Sequence, residues 1–421
     1  MESVNKIITQ LENGYHEEAL RGYKKILQAG TNEERFLLGE ELFQYGFLEE
    51  AKSLFCRLLE IYPEEGEILV LLAETLIELG KEEEAILELE KINELDSSYP
   101  ESLVLLADLY QMQGLYEVSE QKLLKAKKLL QDEVIIDFAL GELYAEEGKF
   151  VQAINCYERV LKTKTEIGGV DVNQRMADSI SAGGAFEDAL PYYEKALDNK
   201  LEINTLFNYG FTALQAGFNG KAIEKFLELK ELDPEYYSLY INLARAYERE
   251  EDSEKGYQIL KEGIQFDEFN KDLYFYAGKL ALKTGKEEEA EKMFRDALAL
   301  DPELTEAALT LNKLLLHQER WEDVLEIVRI MEEGDEVETK FFWDAAVAHQ
   351  NLENYSQALN CYENAYNFYK DTQDFLVDYG YFLIEEGKRE RAVEIFNKLV
   401  SIDPSNEEYQ DVLQRLTDDV G

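Results

Sequence analysis

The stretch LYFYAGKLALKTGKEEEAEKMFRDALALDP, Leu273 to Pro302, decides the fold. It reads as two amphipathic helices joined by a tight turn. In the first, Leu273, Tyr276, Ala277, Leu280 and Ala281 recur at helical spacing. Gly285 fits the left-handed cap that ends that helix. In the second, Ala290, Met293, Phe294, Ala297 and Leu298 share one face. Asp301-Pro302 stops it, because proline cannot continue a helix. Each helix has one apolar stripe and the pair has no core of its own. Such a hairpin must stack on copies of itself.

The copies lie on both sides of it. Gly278, Gly285, Ala290, Phe294, Ala297 and Pro302 are matched at identical offsets by Gly380, Gly387, Ala392, Phe396, Leu399 and Pro404. Gly210, Gly217, Ala222, Phe226, Leu229 and Pro234 match them again, as do Gly39, Gly46, Ala51, Phe55, Leu58 and Pro63. The small residue of the second helix recurs from Ala19 and Ala51 to Ala358 and Ala392 with a mean step of about 34 residues. Small residues such as Gly278 and Ala290 let two helices approach closely.

With that period and those residues the chain resembles the tetratricopeptide-repeat family. The resemblance covers nearly the whole chain. It implies an all-α solenoid, a right-handed superhelix of about twelve tandem helical hairpins, closed by a C-terminal capping helix. The family's tryptophan near the start of each first helix is missing, and Leu69, Leu103, Leu206, Tyr240, Tyr274, Phe342 and Leu376 stand there. Helices of about 12–15 residues and no sheet are expected.

The period also divides the chain. Thr163 to Asp171 (TKTEIGGVD) adds two residues to one step and brings Gly168-Gly169. It reads either as a hinge or change of superhelical pitch, or as a longer loop that alters nothing. Three regions follow: an N-terminal array over 1–169, a C-terminal array over 170–405, and a capping helix and tail over 406–421. Tyr409, Val412, Leu413 and Leu416 give the last helix its apolar stripe. Two turns, Glu251-Asp252 and Glu353-Asn354, lack the usual glycine, and Gly334 to Glu338 reads as a polar linker.

Composition narrows the function. Lys+Arg is 43 and Asp+Glu is 89, a net charge of −46, so nucleic acid is an unexpected partner. Cys56, Cys156 and Cys361 fall in different repeats and form no disulfide frame. The N-terminus lacks the apolar run of a signal peptide, and no stretch approaches the roughly 20 apolar residues of a membrane span. The chain is therefore expected to be soluble and cytoplasmic, with no membrane insertion. His16, His317 and His349 have no partner at metal-ligand spacing, and no glycine-rich phosphate loop follows a strand. No catalytic residue, metal or cofactor is expected, and the chain does not read as an enzyme.

In the family, first helices line a concave groove that binds extended peptides or helices. Counting each repeat so that Gly278 is eighth, the resemblance places the second, fifth, ninth and twelfth side chains in that groove. The ninth place runs Glu40, Glu74, Asp108, Glu142, Asp178, then Phe211, then Arg245, Lys279, Lys313. Its sign reverses along the chain, and the bases stand in the more acidic part. The simpler reading is a solvated row with no meaning in its order. The sharper one is a partner site made by Phe207, Asn208, Phe211, Ile241, Asn242, Arg245, Phe275, Lys279, Leu309, Lys313 and Trp343. The bases would meet carboxylates, the large side chains would bury apolar groups, and Asn208 and Asn242 would hold a peptide backbone. The expected function is a protein–protein interaction scaffold that binds a peptide segment or helix of another protein in the groove. The alternative is an assembly factor that holds a complex together through its convex or end surfaces.

Overall fold

The computed structural model describes residues 2–332 and 339–418. The Gly334 to Glu338 linker lies outside the described residues. The chain forms two compact units, 1–216 and 217–421. The boundary at 169/170 drawn from the sequence falls inside the first.

The N-terminal unit pairs α1 (Glu2–Glu12) with α2 (His16–Ala29), α3 (Asn32–Gln44) with α4 (Leu48–Leu59), and α5 (Gly66–Glu78) with α6 (Glu82–Leu89). It continues with α7 (Tyr99–Met112) and α8 (Tyr116–Leu129), then α9 (Val134–Glu146) and α10 (Phe150–Val160). A small hairpin, β1 (Glu166–Ile167) and β2 (Val170–Asp171), leads to α11 (Val172–Ala182) and α12 (Phe186–Asn199). Helix α13 (Ile203–Gln215) ends the unit.

The C-terminal unit opens with α14 (Asn219–Leu232). Four pairs follow: α15 (Ser238–Arg249) with α16 (Ser253–Phe266), α17 (Lys271–Lys283) with α18 (Glu287–Leu300), α19 (Thr305–His317) with α20 (Trp321–Glu332), and α21 (Lys340–Asn351) with α22 (Tyr355–Tyr369). Helices α23 (Gln373–Glu385) and α24 (Arg389–Ile402) form the last pair, and α25 (Glu407–Asp418) packs on α24. Tyr409 and Val412 of α25 are buried, as a capping helix requires.

Within each unit every helix packs on the next, and successive first helices also touch, as α5 does α7 and α15 does α17. The first helices therefore share a face. The eighth place holds a small residue in most hairpins, and where it is glycine the second helix comes closest. A Cβ added to Gly278 would lie 2.6 Å from the Phe294 ring, and one added to Gly39 would lie 2.7 Å from Phe55. Ala290 and Phe294 are both fully buried.

The turns obey one geometry with and without glycine. Gly285 has φ +76°, and Lys286 N–H closes the turn on the Ala281 carbonyl at 2.9 Å. Where glycine is missing, Glu251, Glu319 and Glu353 adopt φ 61°, 57° and 60°. Asp252 N–H still reaches the Tyr247 carbonyl at 2.9 Å. The stacking of neighbours thus holds a glutamate in a conformation that costs roughly 1–2 kcal/mol in L-residues.

Two expectations need correction. The chain is not free of strand pairing: β1 and β2 are antiparallel, Glu166 opposite Asp171 and Ile167 opposite Val170. Gly168 and Gly169 both have positive φ, 56° and 83°, which suits a two-residue turn whose twist matches the strands. Val172 N–H binds the Thr165 carbonyl at 2.9 Å, and Asp171 caps α11 by accepting from Asn173 N–H at 2.7 Å. The second correction is α6, only 8 residues long. Beyond it Asn93 and Asp96 accept from the backbone N–H groups of Leu95 and Ser98, an alternative to helix that short polar side chains offer.

Candidate functional site

In the C-terminal unit, the ninth place of three successive first helices holds Arg245 on α15, Lys279 on α17 and Lys313 on α19. The first two converge on one ring. The Arg245 guanidinium carbon lies 4.6 Å from the Tyr276 ring centroid, and a guanidinium N–H donates to the Tyr276 hydroxyl. Lys279 Nζ lies 5.2 Å from the same ring and 5.4 Å from that of Phe275. Lys279 and Lys313 are exposed and Arg245 is half-buried. None of the three forms an ion pair among the described residues. Neighbouring lysines do: Lys271 with Asp301, Lys283 with Glu248 and Lys286 with Glu254.

The large side chains are placed differently from the sequence expectation. Phe275 is buried, with its ring against Phe294 and Tyr276. Its place in the repeat turns it into its own hairpin instead of outward. Trp343 is half-buried, and its indole N–H donates to Asp378 at 3.0 Å. Its ring meets Tyr369 and Phe375 at 5.1 and 5.6 Å. Ile241 and Leu309 remain half-buried. Asn242 donates to the Ser238 carbonyl one turn back at 2.9 Å, so one of its donors is used within the helix.

In the N-terminal unit, Phe207 and Phe211 of α13 stack on each other at 6.3 Å, and Phe211 is exposed. Asn208 donates to Asp178 at 3.1 Å. Asp178 also accepts from the Tyr193 hydroxyl at 2.7 Å, and Glu142 accepts from the Tyr157 hydroxyl at 2.5 Å and pairs with Arg175 at 3.2 Å. The two tyrosines occupy the place that Phe294 occupies in its hairpin. Burial lifts the carboxyls of Glu40, Glu74, Asp108 and Asp178 above the ordinary range, and Asp178 rises despite its two donors.

Sequence reasoning missed Tyr276, which it assigned to the packing stripe although the ring carries both bases. It also missed the hydroxyls of Tyr157 and Tyr193. The available signal was tyrosine in place of phenylalanine opposite an acid. It missed Asp344 as well. That carboxyl is lifted to about 6 by burial, accepts from Asn312 at 3.1 Å and is partly offset by Lys313.

Helical hairpins stacked on a period of about 34 residues, with glycine at the close contact and the turn, define a tetratricopeptide-repeat protein, and the chain belongs to that family. Within it the chain is YpiA-like. Family models described as YpiA-like tetratricopeptide repeats and YpiA-like C-terminal tetratricopeptide repeats match residues 111–165 and 340–406. General tetratricopeptide-repeat models match 42–109 and 272–304. The chain is 43% identical over 416 residues to the TPR repeat-containing protein YpiA of Bacillus subtilis (strain 168), covering 99% of this chain and 98% of that protein. Among solved structures, the APC/C hetero-tetramer Cut9–Hcn1 matches at 12% identity and TM-score 0.37, covering 97% of this chain and 94% of that one. YrrB, described as a TPR protein with an unusual peptide-binding site, matches at 15% identity and TM-score 0.38, covering 47% and 97%. Among the described residues no helix is long and apolar enough to cross a membrane.

Proposed function

We propose that the protein is a non-catalytic scaffold that binds an acidic, partly apolar segment of a partner protein on the first-helix face of its C-terminal unit. One observation carries this: Arg245, Lys279 and Lys313 share a register and form no ion pair among the described residues. Cations held by rings and not by an ion pair keep their charge for an anionic segment in a strongly acidic chain. Tyr276 holds Arg245 and Lys279 in place from beneath, which limits the side-chain entropy that binding would cost. The apolar contribution comes from the half-buried Ile241 and Leu309. Phe275 and Trp343 support the helices behind the face.

The charge term sets register and encounter rate more than strength, because the rest of the molecule repels an acidic chain. It also weakens at about 0.15 M salt, where the Debye length is near 8 Å. Fluorescence anisotropy with a labelled peptide alternating glutamate and leucine tests the reading. Wild type should bind it in a salt-dependent way. Changing Arg245, Lys279 and Lys313 together to glutamate should weaken binding by about tenfold or more. Tighter binding of a lysine–leucine peptide that survives the triple change would instead place the site on the acidic row of the N-terminal unit.

A further inference from the structure

The fourth place of each repeat lies between the first helix and the second helices beside it. Large apolar side chains fill it in several repeats: Leu69, Leu103, Leu206 and Tyr240 are all at most 1% exposed. Asp137 stands there in α9, and two cations satisfy it, Lys127 at 2.8 Å and Arg159 at 2.8 Å. In α11 the residue is Asn173. It is 4% exposed, and its side-chain amide makes no hydrogen bond among the described residues.

A pocket of about 530 Å³ opens at Asn173, between α10 and α12, with Thr165 of the segment Thr163 to Asp171 on its edge. That volume is in the range of small-molecule sites. Asn199 also lines it, donating to Asp171 at 2.9 Å and leaving its own carbonyl oxygen open. The rim carries Lys162, Lys195, Glu158 and Asp198. None of these four is ion-paired among the described residues, and Lys195 rests 4.8 Å over the Tyr192 ring.

We propose that this pocket binds a small zwitterionic ligand of the dipeptide class. The floor supplies a buried amide with both donor and acceptor unused, the complement of a peptide group. The rim supplies cations for a carboxylate and carboxylates for an ammonium. Its formal charge is zero in a chain of −46, so a neutral dipolar ligand escapes the repulsion that a net anion would meet. Leu161 and Tyr192 give the side chains an apolar wall. The site is in the N-terminal unit and stands independently of the acidic-segment reading.

Calorimetry on the full chain tests it with alanyl-alanine, against N-acetyl-alanyl-alanine amide, which has the same peptide group and no charged ends. One molecule of alanyl-alanine should bind per chain, with the blocked compound weaker by about tenfold or more. Asn173→Leu should abolish binding and raise the melting temperature, because leucine fills this place in other repeats. Lys162→Glu with Lys195→Glu should weaken binding by about tenfold or more in a chain that still folds. The proposal is overturned by no saturable binding at about 10 mM alanyl-alanine, a concentration that would reveal Kd values in the millimolar range. Equal binding of the blocked compound, or wild-type binding by a folded Asn173→Leu protein, would overturn it too.

Discussion

The ninth place of the repeat holds opposite charges in the two units, and the surroundings differ as much as the sign. In the N-terminal unit Glu142 and Asp178 are tied into their hairpins by Tyr157, Tyr193, Arg175 and Asn208. In the C-terminal unit Arg245 and Lys279 rest on Tyr276, Lys313 partly offsets the raised carboxyl of Asp344, and none of the three forms an ion pair among the described residues. One row of side chains therefore has two uses. Glu142 and Asp178 are internal structure, and Arg245, Lys279 and Lys313 form no ion pair among the described residues. Register in the repeat alone does not distinguish them.

The comparison can be broken most forcefully at Gly278. Gly278→Val places methyl groups against the Phe294 ring and should destabilise by roughly 1–3 kcal/mol through overpacking. Hydrogen exchange should accelerate first in α17, α18 and the helices packed on them, because neighbouring repeats are coupled one-dimensionally. Uniform acceleration across both units would contradict local coupling. A more direct comparison is Asp178→Ala against Lys279→Ala and Lys313→Ala. Removing Asp178 strands two donors and should cost about 2 kcal/mol. Either lysine change should stay within about 0.5 kcal/mol. Equal shifts in the denaturant midpoint would erase the distinction between a structural and a free row.

A third test uses pH. Asp344 holds its proton up to about 6, against an ordinary value near 4. The folded chain thus binds this proton more tightly than the unfolded one, so stability falls as pH climbs from about 4 to 6 and stays reduced above. The Asn312 side-chain carbonyl is buried with no partner among the described residues. Asp344→Asn removes the charge and offers that oxygen an N–H. It should raise stability by about 1–2 kcal/mol at pH 7.5 and by much less at pH 4, read by thermal melts at both values. A gain of equal size at both pH values would rule out the titration. The smallest effect is expected at the turns. Glu319→Gly should stabilise by about 0.5–1 kcal/mol, because glycine adopts the observed φ of 57° without strain. A loss on chemical denaturation would mean that the glutamate side chain contributes more than its backbone costs.

The period, the glycines and the stop at Pro302 determined that helices pair and stack, because close approach and left-handed turns admit few residue types. They determined where each side chain falls in the repeat, and with it the reversal from Asp178 to Arg245. Tertiary structure decided which of those side chains are buried and which are partnered. Phe275 and Trp343 look outward-facing by position, yet they pack against Phe294 in one case and Tyr369, Phe375 and Asp378 in the other. The pairing of Glu142 and Asp178 depended on a hydroxyl from another helix, and the pocket at Asn173 on what its neighbours fail to fill. Helical spacing is a property of one segment and is legible along the chain. Burial, partnership and vacancy are properties of several segments at once, set only when the hairpins stack.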